Sequence, residues 1–161
     1  MIADLHIHTY YSDGLNSPAD LVRLAANNRV AALAITDHDT VAGIDEAIIA
    51  AENHELIIVP GVEISTIDQG QDIHLLGYYI DYSNPTLLHK LNELRLAKTT
   101  RNQQIIDKLS VLGVNITYQE VSDKAVTSST RLGRPHIAQV LLDKGYVRSI
   151  SDAFKRYLGA Q

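Results

Sequence analysis

Asp4-Leu5-His6-Ile7-His8-Thr9-Tyr10-Tyr11-Ser12-Asp13-Gly14 is the stretch from which the fold can be read. The apolar start from Ile2 to Leu5 suits a short buried strand, and two histidines one residue apart follow. On a strand, side chains at i and i+2 share a face, so His6 and His8 project together. Asp13 comes just beyond, in a Ser-Asp-Gly turn. A lone His-x-His arises easily by chance. At the end of a first strand, before a loop, it gains weight, because barrel enzymes carry their chemistry at such ends.

Outward from this motif the chain alternates. Ser17-Pro18 supplies an N-cap and a first helical proline for a helix over Ala19–Asn28. Val30–Ile35 predicts a second strand, stopped by Thr36-Asp37-His38-Asp39. Ile44–Asn53 predicts a second amphipathic helix, and Leu56–Val59 a third strand ending at Pro60-Gly61. Such alternation predicts parallel βαβ units in an α/β fold. Val62–Ile67 and Ile73–Ile80 then flank Asp68-Gln69-Gly70-Gln71-Asp72, a hairpin turn.

After Pro85 the pattern becomes helical. Thr86–Leu112 reads as one long helix ended by Gly113, with shorter ones over Tyr118–Ala125, Arg134–Lys144 and Ser151–Leu158, and Gly145 as a C-terminal stop. The expected division is barrel strands with metal motifs over residues 1–84 and a helical insertion over 85–161. Three parallel strands cannot close a barrel. The expectation is therefore the N-terminal part of one.

Composition narrows the function classes. The 161 residues suffice for one domain with a sizeable core. The absence of cysteine excludes disulfides, Cys-ligated zinc and thiol nucleophiles. A net charge of -5 argues against a surface that coats nucleic acid, while leaving room for a small basic pocket. No apolar run reaches the ~18 residues that span a bilayer. No signal peptide is visible, so no membrane association and a cytoplasmic location are expected.

Residues with metal-ligand chemistry recur at predicted strand ends: His6, His8 and Asp13, then His38 within Thr36-Asp37-His38-Asp39, then Glu63, then His74. In a parallel barrel such ends converge on one face. Imidazole with carboxylate suits Zn, Mn or Fe, and a bridging carboxylate suits a site with several metals. Each residue alone has an ordinary alternative. Asp13 forms turns before glycine, Asp37 and Asp39 are helix-capping types, and His74 between Ile73 and Leu75 could be a core histidine. The joint occurrence is what carries the metal reading.

Asp-Leu-His-Ile-His-Thr, Thr-Asp-His-Asp and Pro-Gly-Val-Glu-Ile-Ser resemble the first three motifs of the PHP (polymerase and histidinol phosphatase) superfamily, and His-Leu-Leu-Gly-Tyr at 74–78 matches the segment after that family's hairpin. Gly133-Arg134-Pro135-His136 is similar to the stand-alone branch that hydrolyses nucleotide monophosphates, nucleoside 3′,5′-bisphosphates or 5′-phosphorylated oligoribonucleotides (the RNase AM type). The resemblance implies a distorted (β/α)7 barrel with up to three divalent ions (Mn, Fe, Zn or Mg) and a metal-dependent phosphoesterase using a metal-bridging hydroxide. It implies His6, His8 and Glu63 at the first metal, Glu63 and His74 at the second, and Asp13 and His38 at the third. His38, Glu63 and Asp13 would be catalytic, and Arg134 and His136 would bind substrate phosphate.

The family's later histidine and late Asp-x-His have no counterpart here: after His74 come only His89 and His136. A non-catalytic metal- or nucleotide-binding fragment is therefore the alternative, with self-association or contact with a C-terminal part expected. An amidohydrolase-type barrel also begins with His-x-His but needs a lysine or further histidines at later strand ends. Lys98 and Arg101 read as a solvated helix face. Tyr10 and Tyr11 could stack on a base or simply pack.

Overall fold

The computed structural model describes residues 2–69, 71–127 and 129–159. Strand β1 (Ile2–Ile7) leads to helix α1 (Pro18–Asn27), β2 (Val30–Ile35), α2 (Ile44–Ala51), β3 (Ile57–Asp68) and β4 (Gln71–Tyr78). Helices α3 (Pro85–Val111), α4 (Tyr118–Ser122), α5 (Arg134–Asp143) and α6 (Ile150–Ala153) follow, and one π-helical turn (Phe154–Leu158) continues α6. The sheet order is β1-β2-β3-β4, with the first two pairings parallel and the last antiparallel. The result is an α/β fold whose four strands curl into a half-barrel.

Local chemistry explains the starts and stops. The Ser17 side chain accepts from the Asp20 N–H and Pro18 opens α1, while Asn84 and Pro85 do the same for α3. Gly113 and Gly145 take the left-handed backbone that ends the α3 and α5 segments. Val22 from α1, Ile44 and Ala47 from α2, and Leu33 and Ile35 from β2 are fully buried together, covering one side of the sheet. A second apolar cluster joins Ile106 and Leu109 of α3 to Val121, Ile137, Leu141 and Leu158.

Three local readings need correction. β1 was expected to be buried, yet Ile2 and Leu5 are 59% and 41% exposed. It pairs only with β2 and forms a sheet edge among the described residues. The third strand does not stop at Pro60-Gly61 but runs through it. Pro60 is the last residue paired with β2 and Gly61 the first paired with β4. The proline thus sits at a seam between two ladders, where a missing N–H is tolerated. Glu63 and His74 accordingly lie within strands of the hairpin, not at strand ends. The hairpin itself matches the sequence reading, although Gly70 of its turn lies outside the described residues. No helix among the described residues is long and apolar enough to cross a membrane.

Gly61 is held by crowding. A Cβ there would meet Thr36 Cγ2 at 2.9 Å, the Ile35 carbonyl oxygen at 3.0 Å and the Gly77 carbonyl oxygen at 3.1 Å. Two of these are backbone, which cannot rotate away. Gly61→Ala is expected to cost about 1–3 kcal/mol by overpacking, read from urea unfolding. An unchanged midpoint would show that the seam is looser than these distances imply.

Candidate metal centre

The loop after β1 is shaped by Asp37, whose buried carboxylate accepts the Thr9 N–H and Thr9 hydroxyl, both at 2.7 Å, and the Ser12 hydroxyl at 2.5 Å. Burial pushes the Asp37 pKa up, against the opposing pull of the Ser12 and Thr9 bonds. Asp39 anchors the other flank. Its Oδ1 accepts the Ser65 N–H at 2.8 Å and its Oδ2 lies 2.6 Å from Lys98 Nζ. Neither aspartate caps α2, whose N-cap is Gly43, so the capping reading gives way to one of loop organisation. Between them the Asp39 N–H donates to the Glu63 carbonyl and the Glu63 N–H to the Asp37 carbonyl. This zips His38 alongside Glu63.

Four histidines from separate positions consequently meet at the buried Glu63 carboxylate. Glu63 Oε2 lies 3.2 Å from His6 Nε2, 2.7 Å from His8 Nε2 and 3.5 Å from His38 Nδ1. Glu63 Oε1 lies 2.9 Å from His74 Nδ1. Asp13 bonds His8 Nδ1 at 2.7 Å and stands 3.7 Å from His38 Nε2. Three overlapping groups each bring their ligand atoms within 4.8 Å of one another: His6, His8, Glu63; His8, Asp13, His38; and His38, Glu63, His74. His6 and His8 share a face, as their spacing requires.

The donor set fits divalent cations. His8 Nε2 and His38 Nδ1 are buried without a hydrogen-bond partner, even though both approach Glu63. Ring nitrogens that stand close to a carboxylate oxygen yet make no hydrogen bond to it are what a cation shared between them would satisfy. The protonation pattern agrees. Burial brings the His38 pKa to about 4, despite Asp13 and Glu63, leaving it neutral at pH 7. Burial also opposes protonation of His8, but the Asp13 bond and the Asp13 and Glu63 charges outweigh it and raise its pKa. Burial alone would raise Asp13. The His8 bond, with the His38 and His8 charges, instead holds it near about 2. With His38 neutral at pH 7, His8 is the partner that matters there.

A polar cavity of about 160 Å³ opens beside Asp13, His38 and His74, and Lys98, Arg101, Arg131 and Arg134 line its other walls. The solvated-face reading of Lys98 and Arg101 fails here. α3 crosses the site, so Lys98 is drawn to buried Asp39 and Arg101 to Asp72, which Arg134 also reaches at 2.7 Å. The Nε atoms of Arg101 and Arg131 are buried without a partner. Arg131 was not singled out from the sequence. Its N–H donates to the Tyr11 carbonyl, and the Thr130 hydroxyl to the Tyr10 carbonyl, tying the helical part to the metal loop. His136 lies in a separate recess of about 210 Å³ beside Asp13, its Nδ1 accepting the Gly133 N–H. The Tyr10 and Tyr11 hydroxyls both donate to Glu46, a packing arrangement.

The PHP domain profile matches residues 4–159. The chain belongs to the PHP domain family. Among PHP proteins it is 40% identical over 159 residues to the 5′-3′ exoribonuclease of Haemophilus influenzae, covering 97% of this chain and 56% of that protein. It is 31% identical to the 3′,5′-nucleoside bisphosphate phosphatase of Chromobacterium violaceum, covering 96% of this chain and 54% of that one. A Bifidobacterium adolescentis crystal structure, described as a candidate metal-dependent phosphoesterase, superposes with a TM-score of 0.89 at 35% identity. It covers 99% of this chain and 56% of that one. The chain therefore spans about half the length of the relatives it matches.

Proposed function

We propose that this PHP chain supplies the metal-binding half of a metal-dependent phosphoesterase acting on nucleotides or 5′-phosphorylated RNA. The observation that carries the reading is one buried carboxylate, Glu63, in contact with four histidines beside a cavity lined by four cationic side chains. His6, His8 and Glu63 would hold one ion, Glu63 and His74 a second, and Asp13 and His38 a third, each imidazole using its single free lone pair once. When bound, divalent ions supply Lewis-acid polarisation of the phosphoryl group and a water of lowered pKa.

The chain's own contribution is positioning. Arg134 presents a guanidinium fork suited to phosphoryl oxygens, and Lys98 and Arg101 add charge across the same cavity. Hydrolysis breaks the phosphorus–oxygen bond to the leaving alcohol, adds the elements of water, and returns a proton to the leaving oxygen. The relatives' names, an exoribonuclease and a bisphosphate phosphatase, support a nucleotide-type substrate.

Release of phosphate from adenosine 3′,5′-bisphosphate, or of mononucleotides from a 5′-phosphorylated oligoribonucleotide, tests this with Mn²⁺ and with chelator. Activity that is metal-dependent and abolished by chelator is expected. Turnover that persists in chelator would defeat the reading.

Proton linkage gives a second test. The raised His8 pKa means that a proton competes with the metal at this nitrogen. Mn²⁺ affinity should therefore rise with pH, by up to about tenfold per pH unit below the His8 pKa, with protons released on binding. His38, already neutral, contributes nothing to that release above about pH 5. Calorimetry in two buffers of different ionisation enthalpy measures the count. A pH-independent affinity would remove His8 from the ligand set.

A further inference from the structure

Beyond the metal cavity lies a larger cleft of about 410 Å³, between the outer half of β3 and the flank of α3. Its walls are Ile64, Thr66 and Ile67 on the strand and Leu94 and Ala97 on the helix. The cleft exists because β2 pairs with β3 only as far as Pro60, and the Asp39 side chain takes the Ser65 N–H. Past Ser65 this edge of β3 has no strand partner among the described residues.

Ser65, Asp72, Lys98 and Arg101 line both spaces and form the passage between them, with Asp72 held by Arg101 and Arg134. Ser65 Oγ and Arg101 Nε are buried there without a hydrogen-bond partner.

We infer that this cleft receives the nucleobase and sugar of the substrate while Ser65, Lys98 and Arg101 hold a phosphoryl group at the passage. Size separates the two roles. The polar cavity, at about 160 Å³, has room for a phosphoryl group and little more. The cleft is of the size and apolar character that small-molecule sites take, a few hundred cubic ångströms with polar groups at one end. The order of the groups fits the same orientation, since Lys98 with its partner Asp39 and Arg101 with its partner Asp72 stand at the passage and the aliphatic residues line the rest of the cleft. Ile64, Ile67, Leu94 and Ala97 would grip the faces of a base rather than read its edge. The inference rests on the nucleotide phosphoesterase reading for the identity of the ligand, but it is tested by binding.

Calorimetric titration of the metal-free chain with adenosine 3′,5′-bisphosphate is compared with titration by ribose 5-phosphate and inorganic phosphate. Ala97→Leu fills the cleft from an exposed position on α3, where leucine is a good helix former. Ile67→Ser strips the opposite wall at a residue 66% exposed. Ala97→Leu is expected to weaken the bisphosphate at least about tenfold, and Ile67→Ser about threefold, leaving the two base-free probes within about twofold of wild type. Thermal melts confirm folding.

Wild-type affinity for the bisphosphate in either folded variant would overturn the inference. So would an equal loss for the base-free probes, or no binding of the bisphosphate to the wild-type chain. A protein that binds in this pattern yet hydrolyses nothing with Mn²⁺ would instead defeat the phosphoesterase reading and leave the cleft assignment standing.

Discussion

Glu63→Gln should abolish function while leaving the fold in place. The residue is 3% exposed and its two carboxylate oxygens touch all four histidines of the cluster. Glutamine keeps the shape and one acceptor. It removes the negative charge that would offset repulsion between neighbouring cations, and it points an amide NH₂ at imidazole nitrogens that must offer lone pairs. Losses one shell further from a metal already cost ~10–100-fold. Loss of the shared carboxylate itself should lower turnover by more than about a hundredfold and reduce the bound metal count. Glu63→Asp, which keeps the charge but withdraws it by one methylene, should fall between. Metal analysis and phosphate release on the same preparations give the answer. Wild-type metal content and turnover in the glutamine variant would rule out Glu63 as the shared ligand.

What the sequence made legible follows the range of the forces involved. Strand and helix positions were readable because apolar periodicity and capping residues act within a few positions, as Ser17-Pro18 and Gly145 show. The convergence of His6, His8 and His38 was readable because a parallel sheet sends successive strand ends to one side, whereas Glu63 and His74 reach the same point from within the antiparallel hairpin. The continuity of β3 was not, since Pro60-Gly61 has the composition of a terminator. Only the handover from β2 to β4 pairing makes it tolerable. Lys98 and Arg101 escaped for a different reason. A cation three residues from another on a long helix looks like any solvated face until the helix is known to cross a site. Asp39, the carboxylate that draws Lys98 in, gave no local hint, because it stands among polar residues, Thr36-Asp37-His38-Asp39-Thr40, and reads as part of a loop. His136, placed with Arg134 by its motif, sits in its own recess because its Nδ1 is used by the Gly133 N–H.

That same aspartate underlies the second large effect. Lys98→Met should destabilise the fold more than Asp39→Asn, although each removes one partner of a single ion pair. Asp39 is 1% exposed, while the Lys98 side chain is 18% exposed. Losing the lysine strands a buried carboxylate, a class of change that costs about 3–5 kcal/mol. The Arg131 charge also acts on Asp39, which places the expectation at the lower end of that range. Asp39→Asn loses the charge yet keeps the acceptor for the Ser65 N–H, and asparagine tolerates the left-handed backbone found there, φ 51°. The freed lysine can swing toward solvent, so about 1–2 kcal/mol is expected. The double variant should then be more stable than Lys98→Met alone, because no buried charge remains unpaired. A double-mutant cycle from urea unfolding measures the coupling, expected at about 1–3 kcal/mol for residues in direct contact. Additive losses would mean that the pair is a contact without energetic weight. Strong coupling would identify this bond as the tie by which α3 holds the wall shared by the metal cavity and the β3–α3 cleft, so that slack in the pair is felt in both.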